Sequence, residues 1–107
     1  MAVIDIDVTN FESEVRQSDV PVLVDFYAGW CTPCRMMSKV LEDVSEELCG
    51  SAKVVKVDVM NETELADKFR ILSVPTMLVF KEGKLTDTIV GATGKNQIIN
   101  VLSAPRA

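Results

Sequence analysis

The run "VLVDFYA", Val22 to Ala28, constrains this chain more than any other stretch, because it is apolar at successive positions and broken only by Asp25. A strand with one face in water alternates apolar and polar residues, whereas a nearly continuous run rich in β-branched residues is covered on both faces. From about Thr32 to Leu48, Met37, Val40, Leu41, Val44 and Leu48 then recur at helical spacing, and Gly50 supplies a left-handed stop. A buried strand that passes directly into an amphipathic helix predicts helices on both faces of one sheet.

The other elements fall around this pair. "VIDID" alternates like an edge strand, and Thr9 with Glu12 has the spacing of a capping box, predicting a short helix over Asn10 to Ser18. "KVVKVDV" sets Val55, Val57 and Val59 against Lys56 and Asp58 as a third strand, and "NETELADKF" follows as a helix with Asn61 and Glu64 as its capping pair. "VPTMLVFKEGKLTDTIVG" holds two β runs around Glu82-Gly83, a hairpin signal that makes them antiparallel. A last helix, about Lys95 to Leu102, presents Ile98, Ile99 and Leu102. The order β-α-β-α-β-α-β-β-α predicts an α/β fold. Its 107 residues, 48% hydrophobic, suffice for the core of a single domain over 1–107.

Composition removes whole classes of function. A net charge of -5 with scattered Lys and Arg argues against a nucleic-acid footprint, which needs clustered cations to neutralise phosphates. No apolar stretch approaches the roughly 20 residues of a membrane span. "MAVIDIDVTNFESEV" has neither a basic lead nor an apolar run, so the expected address is cytoplasmic. With no histidine, neither a Ser-His-Asp triad nor a Cys2His2 zinc site can be built, and acid–base work falls to carboxylates and thiols. Three cysteines make a poor disulfide framework, and a local, reversible pair fits them better.

That pair is Cys31 and Cys34, in "WCTPC", where the buried strand hands over to the helix. The first thiol meets the unpaired N–H groups and positive dipole end of the helix, which favour thiolate, the form that attacks disulfides. Cys31 is thus the expected attacking residue. Cys34, three positions on along the same face, is close enough to pair with it and resolve the mixed disulfide. Pro33 suits the first helical turn, where its missing N–H has no acceptor to lose. Trp30 either stands at the loop crest beside the sulfurs or is a core residue; Arg35 either adds positive charge or is simply solvated.

Asp25, a carboxylate in an apolar strand, should hold its proton to unusually high pH. It is either the acceptor of the Cys34 proton or a structural aspartate. Lys56 either approaches it from the neighbouring strand or is an exposed strand lysine. Cys49 reads most simply as a small core or helix-end residue, with a regulatory or dimer-forming thiol as the minority reading. Fifteen residues past Cys34, it lies about 22 Å away if the helix is continuous.

Taken together, "VDFYAGWCTPC", "KVD" with Lys56, "SVPT" with Pro75, "FKEGK" with Gly83 and "IVGA" with Gly91 resemble the thioredoxin family over essentially the whole chain. The resemblance implies the thioredoxin fold, a central mixed five-stranded sheet flanked by four helices. It also implies a monomeric protein-disulfide reductase that maintains redox homeostasis. By the same resemblance, thioredoxin reductase is implied to recharge it, with NADPH bound by that partner and no cofactor on this chain, and its implied substrates are disulfide-containing proteins. Pro75 is implied to be cis and to lie against the cysteines. Val74, Pro75, Gly91 and Ala92, with Trp30, Thr32 and Pro33, are implied to form the groove for a substrate's extended backbone.

Three positions depart from the family's pattern. Thr32 stands where glycine is most frequent, Tyr27 replaces a common tryptophan, and Lys39 takes the place of a proline that kinks the helix, predicting uninterrupted helical hydrogen bonding there. Other readings of the motif are an oxidase or isomerase of the same fold, a metal or Fe–S site short of ligands, and a non-catalytic subunit that binds through the groove.

Overall fold

A computed structural model describes residues 3–105. Val22–Tyr27 forms β2, and it is central: β3 (Lys53–Asp58) runs parallel on one side and β4 (Thr76–Lys81) antiparallel on the other. Beyond them lie β1 (Ile4–Asp5), parallel to β3, and β5 (Lys84–Val90), antiparallel to β4. The order across this mixed sheet is β1-β3-β2-β4-β5. Helices α1 (Thr32–Glu47), α2 (Thr63–Lys68) and α3 (Lys95–Ser103) and a π-helical turn, Glu12–Arg16, complete the thioredoxin-type arrangement.

Side chains two apart on a strand share a face, and β2 therefore feeds two separate cores. Val22, Val24 and Phe26 point toward the π-helical turn and α2, where they pack with Val15, Leu65 and Phe80. All four phenylalanines meet on this side, with Phe11 and Phe69 centroids 5.4 Å apart and Phe69 and Phe80 5.8 Å apart. Leu23 points the other way, into a core built with Met37, Leu41, Val44, Ile98 and Leu102 from α1 and α3. This parity also sends Asp25 and Tyr27 toward α1.

Two capping expectations are corrected. Thr9 does not cap a helix: its N–H and hydroxyl both donate to Asp7 Oδ1, and Asn10 Oδ1 accepts the Asp7 N–H. The carboxylate is the stronger acceptor, and it gathers residues 7–10 into a turn. Only residues 12–16 then wind as a helix, with Gln17 N–H donating five residues back to Glu12. Likewise Asn61 caps nothing. Asp58, at the end of β3, accepts from Met60 N–H and the Asn61 side chain, so α2 begins at Thr63 without a side-chain cap. Helix α1 runs unbroken through Lys39, as its lack of a proline predicts.

Lys81, only 6% exposed, donates to the carbonyls of Val101 (2.8 Å) and Ala104 (2.5 Å). These lie at the C-terminal end of α3, where carbonyls have no intrahelical partner. One buried cation therefore ties β4 to α3. At the β4–β5 hairpin Glu82 and Gly83 both have positive φ, 54° and 80°, the geometry of a tight two-residue turn. A Cβ on Gly83 would come within 2.8 Å of the Arg16 carbonyl oxygen. Gly83→Ala should destabilise the protein by roughly 1–3 kcal/mol, read from urea unfolding midpoints. A change below about 0.5 kcal/mol would show that the hairpin moves off the π-helical turn freely.

Candidate active site

Strand β2 ends at Tyr27, and Ala28, Gly29 and Trp30 carry the chain over the sheet edge into α1. The Ala28 carbonyl accepts the Cys31 N–H at 3.2 Å, closing this turn. Cys31 is the N-cap of α1, with extended backbone (φ -90°, ψ 112°), and its Sγ accepts the N–H of Cys34 at 3.2 Å. Cys31 and Cys34 are disulfide-bonded, their Cα atoms 5.2 Å apart. Pro33 lies in the first helical turn. Trp30 stands on the crest, 67% exposed, not in the core. Arg35 reaches back to donate to the Gly29 carbonyl at 3.0 Å, clasping the loop it follows.

Two further segments meet the sulfurs, and a third adjoins one of them. Cys31 Sγ lies 3.7 Å from the carbonyl oxygen of Val74, which precedes Pro75 across a cis peptide bond. Gly91, at φ 91°, donates its N–H to the Pro75 carbonyl at 2.8 Å and brings Gly91 and Ala92 alongside. Val59, just past β3, packs with Val74 and Tyr27 against Ala28, Cys31 and Cys34. Thr32, Pro33 and Ala92 are exposed, Val74 and Gly91 half-buried, and Pro75 buried. The positions of the expected groove therefore adjoin one another. Val59 was not foreseen, although it continues the alternation of β3 past its last paired residue.

Beneath the helix start, Asp25 is 4% exposed, and its Oδ1 has no hydrogen-bonding partner among the described residues. Its cross-strand neighbours are Lys56 in β3 and Met77 in β4. Burial raises its pKa from 3.8 to about 7, against the pull of the Lys56 ammonium in the other direction. Asp25 and Cys34 line one cavity of about 140 Å³, together with Tyr27, Arg35, Ser38 and Lys56. Ser38 shares the helix face of Cys34 at the i,i+4 spacing, the one sequence signal that could have found it. Tyr27 is half-buried beside Lys56, whose Nζ lies 5.8 Å from the ring centroid. Burial and the nearby Asp58, Asp5 and Asp25 carboxylates raise the pKa of its hydroxyl.

Of the two simple readings of Cys49, the structure has the helix-end one: it follows the C-cap of α1 and is exposed, not in the core. The last buried residues of α1 are Val44 and Ser45, and the chain past the Leu48 C-cap turns out toward solvent. Among the described residues no three His, Cys, Asp or Glu side chains are placed to hold a metal ion, and no helix is long and apolar enough to cross a membrane.

A sequence model of the Thioredoxin family matches residues 2–104. The chain is 46% identical over 90 residues to a thioredoxin of Rickettsia bellii, covering 84% of this chain and 86% of that one. It is 42% identical over 92 residues to thioredoxin 1 of Synechococcus elongatus, covering 86% of each. With a thioredoxin of Porphyra purpurea the identity is 41% over 103 residues, 96% of each chain. The match runs through the strand, the cysteine loop and the segments that meet it, and the chain belongs to the thioredoxin family, as a thiol–disulfide reductase with a CxxC pair.

Proposed function

We propose that Cys31 attacks the substrate and Cys34 resolves the product. The observation that carries this is the N-cap hydrogen bond: the sulfur that accepts a backbone N–H at a helix start is the one held best as thiolate. For this effect the thioredoxin family is itself the reference case. Cys31 thiolate attacks one sulfur of a substrate disulfide, forming a Cys31–substrate mixed disulfide and releasing the first substrate thiolate. Cys34 then gives up its proton and attacks Cys31 Sγ. The Cys31–Cys34 disulfide forms, the second substrate thiolate leaves, and two electrons have passed to the substrate.

Asp25 receives the Cys34 proton in this scheme. The shared cavity and a pKa near 7 support it, since a base works best when its pKa lies near the operating pH. Lys56 tunes that carboxyl. The substrate's extended backbone lies along Val74, Pro75, Gly91 and Ala92, beside Trp30, Thr32 and Pro33. Thioredoxin reductase returns the electrons, with NADPH bound on that partner, and the chain works as a monomer on disulfide-containing proteins in the cytoplasm, in one domain spanning 1–107.

A base buried in this way weakens the fold. The folded protein keeps the Asp25 proton up to about pH 7, whereas the unfolded chain loses it near 3.8. Between those values the unfolded state binds fewer protons, and stability falls as pH rises. The penalty is absent below about pH 4, grows through the window, and is complete above 7, on the order of 4 kcal/mol at 1.36 kcal/mol per unit.

In insulin reduction with NADPH and a thioredoxin reductase, Cys31→Ser should abolish turnover, and retained turnover would remove Cys31 as the attacking residue. Asp25→Asn should slow mixed-disulfide resolution by roughly 100-fold; an unchanged rate would remove Asp25 from the mechanism. By urea unfolding, the same variant should be more stable than wild type by a few kcal/mol at pH 8 and closely similar at pH 4. A difference independent of pH would contradict a raised Asp25 pKa.

A further inference from the structure

Lys56 has a carboxylate opposite it on each side. Its register partner in β1 is Asp5 and its register partner in β2 is Asp25, so one row of three charged residues crosses adjacent strands. Ile4 and Ile6 pack with the phenylalanine core, and Asp5 between them therefore points to the same side of the sheet as Lys56 and Asp25. The two acids differ in surroundings: the Asp5 side chain is 80% exposed and Asp25 is buried.

The lysine's ion-pair contact is with the exposed acid. Lys56 Nζ lies 3.8 Å from Asp5 Oδ1. It also rests 5.8 Å from the Tyr27 ring centroid, a spacing at which the ring face attracts a cation. Asp25, whose Oδ1 is unpartnered, feels the ammonium only across the cavity that both groups line. Solvation favours this division, because moving the ammonium fully to Asp25 would strip more of its water.

We propose that Asp5 is a positioning residue for the resolving step: it holds the Lys56 ammonium toward β1, leaving Asp25 basic enough to take the Cys34 proton. This rests on the reading of Asp25 as proton acceptor. Removing the Asp5 charge frees Lys56 to swing toward Asp25, where its ammonium favours the ionised carboxyl.

The other groups facing Asp25 do not compete for Lys56 in the same way. From α1, Arg35 is engaged with the Gly29 carbonyl, and Cys34 is in the disulfide. From β3, Asp58 is occupied with Met60 N–H and the Asn61 side chain. From β2 Tyr27 lines the same cavity, and from β4 the facing residue is the uncharged Met77.

The test is an NMR titration of the Asp25 side-chain carboxyl in the oxidised full chain, at low ionic strength so that an exposed charge is not screened. Wild type, Asp5→Asn, Asp5→Glu and Lys56→Met are compared, and the pH profile of mixed-disulfide resolution is measured on each. Asp5→Asn should move the Asp25 midpoint down by about 0.5 unit. Asp5→Glu should leave it near wild type, Lys56→Met should move it up, and the resolution profiles should shift in the same directions. An unmoved Asp25 midpoint in Asp5→Asn, whatever Lys56→Met does, would overturn the proposal. A midpoint that moves while the resolution profile does not would instead overturn Asp25 as proton acceptor, and with it the place of Asp5 in the reaction.

Discussion

The hydrogen bond from Cys34 N–H to Cys31 Sγ sits where two requirements coincide. A helix starting at a sheet edge has N–H groups that need acceptors, and a cysteine that must ionise needs donors. Placing Cys31 at the N-cap meets both demands with the same atoms. The cap position in turn requires that β2 be rigid and that α1 start immediately after it. The two cores on either face of β2 supply that rigidity, with Leu23 locked among α1 and α3 residues and Phe26 among the phenylalanines.

On the proposed reading, Asp25 is where stability is given up for chemistry. Its neighbours in β2, Val24 and Phe26, are completely buried on the opposite face, and Leu23 shows what an apolar residue on its own face would do. A leucine at that place would extend the α1 core toward the helix start. A carboxylate there instead lines the cavity that it shares with Cys34. Local rules of this kind are commonly broken at functional sites, where the burial of a titratable group shifts its pKa toward the working range.

Much of this was legible in the sequence, because the signals were periodic. The nearly continuous apolar character of β2, the helical spacing of α1 and the positive-φ turn at Glu82-Gly83 each follow from a local pattern. Capping was not legible: Thr9 and Asn61 had the right spacing, but a carboxylate two or three residues earlier engages each side chain as a donor instead. Nor was Lys81, whose role depends on carbonyls twenty or more residues away in α3. At the site, WCTPC and Asp25 announced themselves as violations of their surroundings. Val74, Pro75, Gly91 and Ala92 came from resemblance alone, since nothing local to them tells of a sulfur brought near by the fold.

Topology explains why those segments converge. β3 runs parallel to β2, so the residue leaving it, Val59, emerges at the edge where Ala28 to Cys31 leave β2. β4 runs antiparallel to β2, and the residues entering it, Val74 and Pro75, therefore arrive at that same edge. β5 reverses again, and Gly91 leaves it there. Four connections meet at one end of the sheet because β2 is flanked by a parallel strand on one side and an antiparallel strand on the other. Open α/β sheets tend to place their sites where the connections diverge beyond the carboxyl ends of parallel strands. Here the same change of strand direction puts the Val74 carbonyl, the Gly91 loop and both sulfurs within one small surface, using residues separated by as much as 60 positions in the chain.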